Sequence, residues 1–341
     1  MSKSNSQKQH KPQSIKSSPS PKLQKPSAFE RFIEKHGFLT LLGLISAIAF
    51  FVFKDFIFLR KVYLFKDIGS DTINILYPQF IQIADYLKSD GWPKWSFAQG
   101  MGQNIFPFSF GDPDNAIFYF FDRDNIVYGI AYVEILKVIL GGIFFFYYLR
   151  TMSLSKYISI IGGILYSFTG YMILGGGWYS FSYEAVCGAF MLYAFEKLLR
   201  EDKWYLMPLP IAMIGAFQPF YLYLYGLLLF AYSVVRYIDE REWEIRSFFI
   251  FYFKLAGLFI LGVIISSLFL FSNVFQMLQS PRVTGDSSFF ETLANQPVFG
   301  MGPAIQYVSI VLRFFSSDLL GTGANFKGWN KFVEEAGALY V

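Results

Sequence analysis

After about 27 residues rich in Ser, Gln, Lys and Pro, the chain turns apolar in seven stretches. They lie at about 38–58, 127–149, 157–175, 181–199, 204–218, 219–236 and 247–272. Each approaches the roughly 20 residues that cross a bilayer as a helix, which predicts an all-α polytopic membrane protein. Pro208 and Pro210 blur the start of the fifth stretch, and Gln218-Pro219 leaves room only for a tight turn between the fifth and the sixth. Residues 1–27 contain almost nothing to bury, and no short apolar run with a small-residue cleavage site, so they read as a disordered tail and not a signal peptide.

Two long connections interrupt this pattern, residues 60–126 and 273–341. Structureless connections above about 15 residues are uncommon unless functional or disordered, and the first is too apolar and aromatic to be simple linker. Within it Ile73, Leu76, Phe80, Ile83 and Leu87 recur at helical spacing, predicting an amphipathic helix on the membrane surface. A second is predicted at about 303–315 from Ile305, Val308, Val311, Leu312 and Phe315.

Composition sharpens the assignment. Of 341 residues 54% are hydrophobic, 21% aromatic and only 16% charged, against about 25% charged in a soluble domain. The surplus apolar surface faces lipid. The one cysteine, Cys187, excludes a disulfide framework, and two histidines, His10 and His36, leave no histidine-based zinc site or triad. Basic residues then set the orientation. With the lysine-bearing tail in the cytoplasm, the inner connections carry Arg150 and Lys156, then Lys197, Arg200 and Lys203, then Arg236, Arg241 and Arg246. The opposite side receives both long connections, the first with eight aspartates: Asp67, Asp71, Asp85, Asp90, Asp112, Asp114, Asp122 and Asp124.

Candidate chemistry gathers on that aspartate-bearing side. Asp67 and Asp71 sit four apart ahead of a predicted helix. A carboxylate in water-poor surroundings can take a proton from an attacking hydroxyl. The pair can instead hold a divalent cation, or Asp71 can simply cap the helix; no cofactor is required by the sequence. Glu184 follows Gly175-Gly176-Gly177-Trp178 near the outer end of the fourth stretch, where an ionisable group is costly and suggests function. Its bland alternative is a carboxylate reaching the headgroups. Glu134 and Lys137, three apart, read as a structural pair. Arg282, where the chain leaves the seventh stretch, suits a lipid-carrier phosphate or an ordinary headgroup. Gly91-Trp92-Pro93-Lys94-Trp95 and Gly100-Met101-Gly102-Gln103-Asn104 combine turn-forming glycines with aromatic faces able to stack on sugars, or to serve as interfacial anchors.

In their order along the chain, these features resemble the bacterial YfhO-type membrane proteins, which are similar to the GT-C class of polytopic glycosyltransferases. The resemblance runs from about residue 38 to the end, through GSDTINILYPQF, GWPKWSFAQGMGQN, ILYSFTGYMI, the acidic Glu184 and LFLFSNVFQMLQSPR. It implies a GT-C-like bundle of about seven transmembrane helices over 28–272, with outer loop 60–126 carrying surface helices, and 273–341 as a second outer segment. Family members are longer, and this chain ends at Tyr340-Val341 in an apolar run, which reads as an N-terminal fragment.

The implied activity is transfer of a sugar from a polyprenyl-phosphate donor to an envelope polymer or lipid outside the bacterial cytoplasmic membrane, with membrane lipids and no nucleic acid as partners. Asp71 falls on the family's loop aspartate, with Asp67 and Glu184 as further catalytic candidates. Arg282, Trp95, Gly100, Gly102, Asn104 and Tyr77 are the candidate substrate contacts, and no metal ligand is named. Two departures stand out: Ile75-Leu76 replaces a Gln-Tyr pair, and Phe271-Ser272 replaces a Leu-Pro pair. A flippase for a lipid-linked intermediate and a non-catalytic scaffold are the competing readings.

Overall fold

The computed structural model describes residues 27–64, 71–92, 94–98, 100–106, 113–174, 181–279 and 304–313. Helix α1, Ala28–Ile57, starts ten residues before the apolar run. Ser27 accepts from the Glu30 amide at 3.1 Å while Glu30 accepts from the Ser27 amide at 2.6 Å, a reciprocal cap that initiates the helix outside the hydrophobic stretch. A kink at His36 marks where this polar lead meets the apolar part.

The helices that follow are α2 (Tyr77–Ser89), α3 (Arg123–Thr151), α4 (Lys156–Ser167), α5 (Gly170–Leu174) and α6 (Phe181–Glu201). Then come α7 (Pro208–Phe217), α8 (Pro219–Glu240), α9 (Ile245–Ile265), α10 (Ser267–Leu278) and α11 (Ala304–Arg313). Four of them, α1, α3, α8 and α9, are long and apolar enough to cross a membrane by length and composition. The third, fourth and fifth stretches yield none of these four, and the seventh continues past α9 into a separate helix, for visible reasons. The third stretch breaks at Phe168-Thr169. The fifth is a 3-10 turn, Trp204–Leu206, followed by ten helical residues that begin at Pro208. The seventh breaks at Ser266, which packs where Gly215 of α7 has no Cβ: one built there would meet Ser266 Oγ at 2.7 Å.

The fourth stretch, α6, is long but less apolar, and burial explains why. Nearly every side chain from Ser182 to Leu199 is enclosed by protein, with the most extensive contact against α3 and others against α7 and α8. A helix surrounded by protein need not be lipophilic all round. It can carry carboxylates, and α6 carries Glu184 and Glu196 inside the fold. Phe144 of α3 stacks on Phe190 of α6 at 4.4 Å. On its other side α3 crosses α4 closely at Gly142 and Gly163, where a Cβ on either would lie 3.0 Å from the other's carbonyl oxygen.

The two ends of the bundle differ in chemistry. At one end ion pairs join successive elements: Lys156 to Glu34, Arg236 to Glu196 at 2.7 Å, Arg200 to Glu196 at 3.2 Å, and Lys254 to Asp202. Glu196 is 0% exposed and also accepts from Tyr232 at 2.6 Å, so its buried charge is fully compensated.

The other end carries the first long connection. The apolar face of α2 meets protein. Phe80 and Ala84 pack with Phe118, Ile126, Ile130 and Val133 against the first turns of α3, with Phe80 and Phe118 rings 5.1 Å apart. The amphipathic period was real, but its apolar partner is protein. Of the predicted second surface helix, α11 covers Ala304–Arg313, with Tyr307, Val308 and Val311 exposed.

Candidate functional site

At the loop end, three elements enclose a groove of about 1570 Å³. One wall is α2 with the π-helical turn Thr72–Leu76 that precedes it. The opposite wall is a short hairpin pairing β1 (Trp95–Ser96) with β2 (Gln103–Asn104), Trp95 opposite Asn104. Phe181, the first residue of α6, and Gln218, at the turn between α7 and α8, bring the helical bundle into the lining.

Local chemistry explains the hairpin. Gly100 and Gly102 have φ of +55° and +109°, a region that penalises a Cβ. Gly102 has a second requirement: a Cβ there would lie 2.7 Å from Trp95 Nε1. The two strands of the hairpin are fastened to different parts of the fold. Gln82 of α2 donates to Ser96 Oγ at 2.7 Å, and Gln276 of α10 donates to the Asn104 carbonyl at 3.2 Å. Phe106 adds a stacked contact with Phe269 of α10 at 5.4 Å.

Of the predicted site residues, Asp71 and Gly100 both line this groove. Asp71 precedes Thr72 in helical conformation and makes no capping hydrogen bond among the described residues. Trp95, Gly102 and Asn104 build the hairpin wall. Tyr77 instead packs with the Phe80 and Phe118 cluster behind α2. Asp67 and Arg282 lie outside the described residues, as do Asp112 and the Gly175–Trp178 segment.

Glu184 is set one helical turn below Phe181 and is 4% exposed. Its Oε1 accepts from the Tyr171 hydroxyl, while its Oε2 has no hydrogen-bond partner among the described residues. Tyr166, Tyr221 and Tyr225 all lie within range of its charge. Tyr225 gets this close because residue 188 is glycine: a Cβ would meet its ring at 2.8 Å. Tyr221 links this buried tier to the groove, since its ring meets Phe181 edge-on at 5.5 Å. Glu184 is therefore a buried group beneath the groove and not a headgroup-facing side chain.

The Glu134–Lys137 pair forms a second buried polar tier. Glu134 and Lys137 are 2.9 Å apart and closed to solvent, and Ser182 of α6 donates to Glu134 at 3.1 Å. Tyr132 donates to the Ile57 carbonyl at the end of α1 at 3.0 Å. At 1.5 Å per residue, Glu134 and Lys137 thus lie about 3 and 8 Å deeper than that level. Asp114 stands above them with Lys137 in electrostatic range, and burial pushes its carboxyl above the usual carboxylate range, the Lys137 charge partly opposing.

The groove also contains residues the sequence did not single out. Asp85 and Asp90 line it, with Arg123 at the start of α3, 3.7 Å from Asp85. Gln79, Gln82, Gln103 and Gln218 supply neutral donors and acceptors. Arg123 places a guanidinium in the groove, at the start of α3 directly after Asp122. Among the described residues no group of three or more His, Cys, Asp and Glu converges in a way that could hold a metal ion.

This arrangement can bind a polyhydroxylated or phosphorylated ligand, through amides, carboxylates and one guanidinium in a cleft large enough for sugars. The chain belongs to the YfhO family: the model of the bacterial membrane protein YfhO matches residues 38–302. No curated protein and no solved structure matches the chain.

Proposed function

We propose that this YfhO-family membrane protein is a glycosyltransferase of the bacterial cytoplasmic membrane, N-terminus inside, using a lipid-linked sugar on the outer face. The observation that carries this reading is the groove itself: Asp71, Asp85, Asp90, Arg123 and a set of glutamines around one cavity of about 1570 Å³ at the end opposite the basic ion-pair network.

The acceptor hydroxyl oxygen attacks the anomeric carbon as the bond from that carbon to the phosphate oxygen breaks. Polyprenyl phosphate leaves with the electron pair, and the hydroxyl proton passes to Asp71. Configuration inverts. Arg123 complements the phosphate charge, and the glutamine amides orient the sugar hydroxyls. Most of the acceleration then comes from positioning and from charge complementarity in a partly enclosed site. Glu184, beneath Phe181, acts by holding the tyrosine tier that supports the floor.

The test is complementation of a deletion strain. Wild type restores the envelope glycan. Asp71→Asn, accumulating in the membrane at wild-type level, is expected to reduce it at least a hundredfold. Glycan unchanged in that variant overturns the role of Asp71. The buried Glu134–Lys137 pair within α3 favours one second reading, a flippase with polar groups inside its helices. Movement of labelled lipid across vesicles, without glycan transfer, would establish that reading instead.

A further inference from the structure

A second cavity, of about 740 Å³, runs between α8 and α9 and is lined almost wholly by apolar side chains. It begins at Pro219 and extends along α8 to Phe230, with Leu222 and Gly226 on its wall, and along α9 from Ile260 back to Phe249. Pro219 to Phe230 spans about 17 Å at 1.5 Å per residue, on the order of half the roughly 30 Å hydrocarbon core. At its inner end the hydroxyl of Tyr252, which lines it, and Ser233 of α8 meet at 3.0 Å. Tyr223, Leu227, Phe230 and Phe253 are exposed along it, and both helices are long and apolar enough to lie against lipid.

The two cavities are consecutive in the chain. Gln218 lines the polar groove and Pro219 lines the apolar one. Gln218 is extended, at φ −157° and ψ 124°, so one turn of backbone separates a hydrogen-bonding cleft from a hydrocarbon slot. A ligand that fits both has a polar head and one long apolar tail. Gly226 contributes the depth, as the ring of Phe259 stands 3.5 Å from where its Cβ would be.

We propose that the slot between α8 and α9 binds the isoprenoid chain of a phosphate-linked donor, with the tail entering past Gln218 and the phosphate and sugar in the polar groove. This rests on the transferase reading above, from which it takes the identity of the head. Burial of each methylene is worth about 0.8 kcal/mol, so a chain seated here supplies affinity that is independent of the sugar.

The test uses the full chain in nanodiscs and a polyprenyl phosphate bearing a diazirine near the far end of its chain. Crosslinks are expected in peptides within 219–260. Unlabelled polyprenyl phosphate should suppress them, and phosphatidylglycerol at the same mole fraction should not. Gly226→Trp, which fills the slot, should lower labelling at least tenfold. Ala256→Phe is an independent second filling from α9 should the first fail to fold. Labelling elsewhere, equal suppression by phosphatidylglycerol, or undiminished labelling in a folded filled variant overturns the proposal. Because labelling needs no turnover, intact labelling in a protein that moves lipid across vesicles without glycan transfer would remove the transferase reading alone.

Discussion

Lys137 Nζ lies 2.9 Å from Glu134 Oε2 with both side chains shut away from solvent, on one face of α3 where it meets α6. Removing one member strands the other charge, which costs about 3–5 kcal/mol in a protein interior. Lys137→Met should therefore destabilise strongly, and Glu134→Gln together with Lys137→Met should recover much of the loss. Thermal denaturation in detergent, followed by monodispersity, reads both. Equal stability of the single and double variants would show that the pair is not coupled.

Arg236 offers the matching case at the other end. It reaches Glu196 through both Nε and Nη2, at 2.7 and 3.2 Å, and Glu240 through Nη2 at 2.8 Å. This is fork geometry that an ammonium cannot reproduce. Arg236→Lys should consequently lose most of the roughly 3–5 kcal/mol expected for Arg236→Ala. A lysine variant as stable as wild type would show that charge alone suffices.

Gly102→Ala places a side chain at φ +109° against the Trp95 indole. Strain of about 1–3 kcal/mol is expected to fall on the hairpin alone. The variant should insert and keep its melting temperature within a few degrees, yet lose groove function in the complementation assay. A wild-type glycan level would detach the hairpin from activity.

Asp114 supplies a pH signature. Burial raises its carboxyl pKa in the fold, so folding favours the protonated form. Its stabilising contribution is complete below the unfolded value and is lost as pH rises through the folded one. Asp114→Asn should flatten this slope and be the more stable protein on the alkaline side. Parallel wild-type and variant melting curves across pH would contradict the assignment.

The extent to which sequence determined this picture varies by element. The stretches that became α1, α3, α8 and α9 were legible because hydrocarbon thickness fixes their length and apolarity together. The breaks at Phe168 and Ser266 were not, since no Pro or Gly stands at those positions and tertiary contacts impose them. Helix α2 was found by its period, but a period records only that one face is buried. It does not distinguish lipid from Phe118 and Ile130. Asp71 and Gly100 were placed on one face by topology, and the structure puts both on one groove. Arg123, Gln218 and Asp114 escaped because each sits at an unremarkable helix border or turn, and only the folding of distant segments gives them neighbours. The tyrosines around Glu184 were invisible for the same reason: they come from α5, α4 and α8.

The hairpin is held by Gln82 on one side and Gln276 on the other. The groove is therefore a late product of biosynthesis. A nascent chain that has emerged only as far as α9 already contains Asp71, α2 and both strands, but lacks the helix that fixes Asn104 and stacks on Phe106. Non-local closure of this kind is slow relative to the pairing of neighbouring helices. Until α10 is in place, the bundle carries an unfinished cleft, whose second wall closes with the last of these helices rather than accumulating along the way.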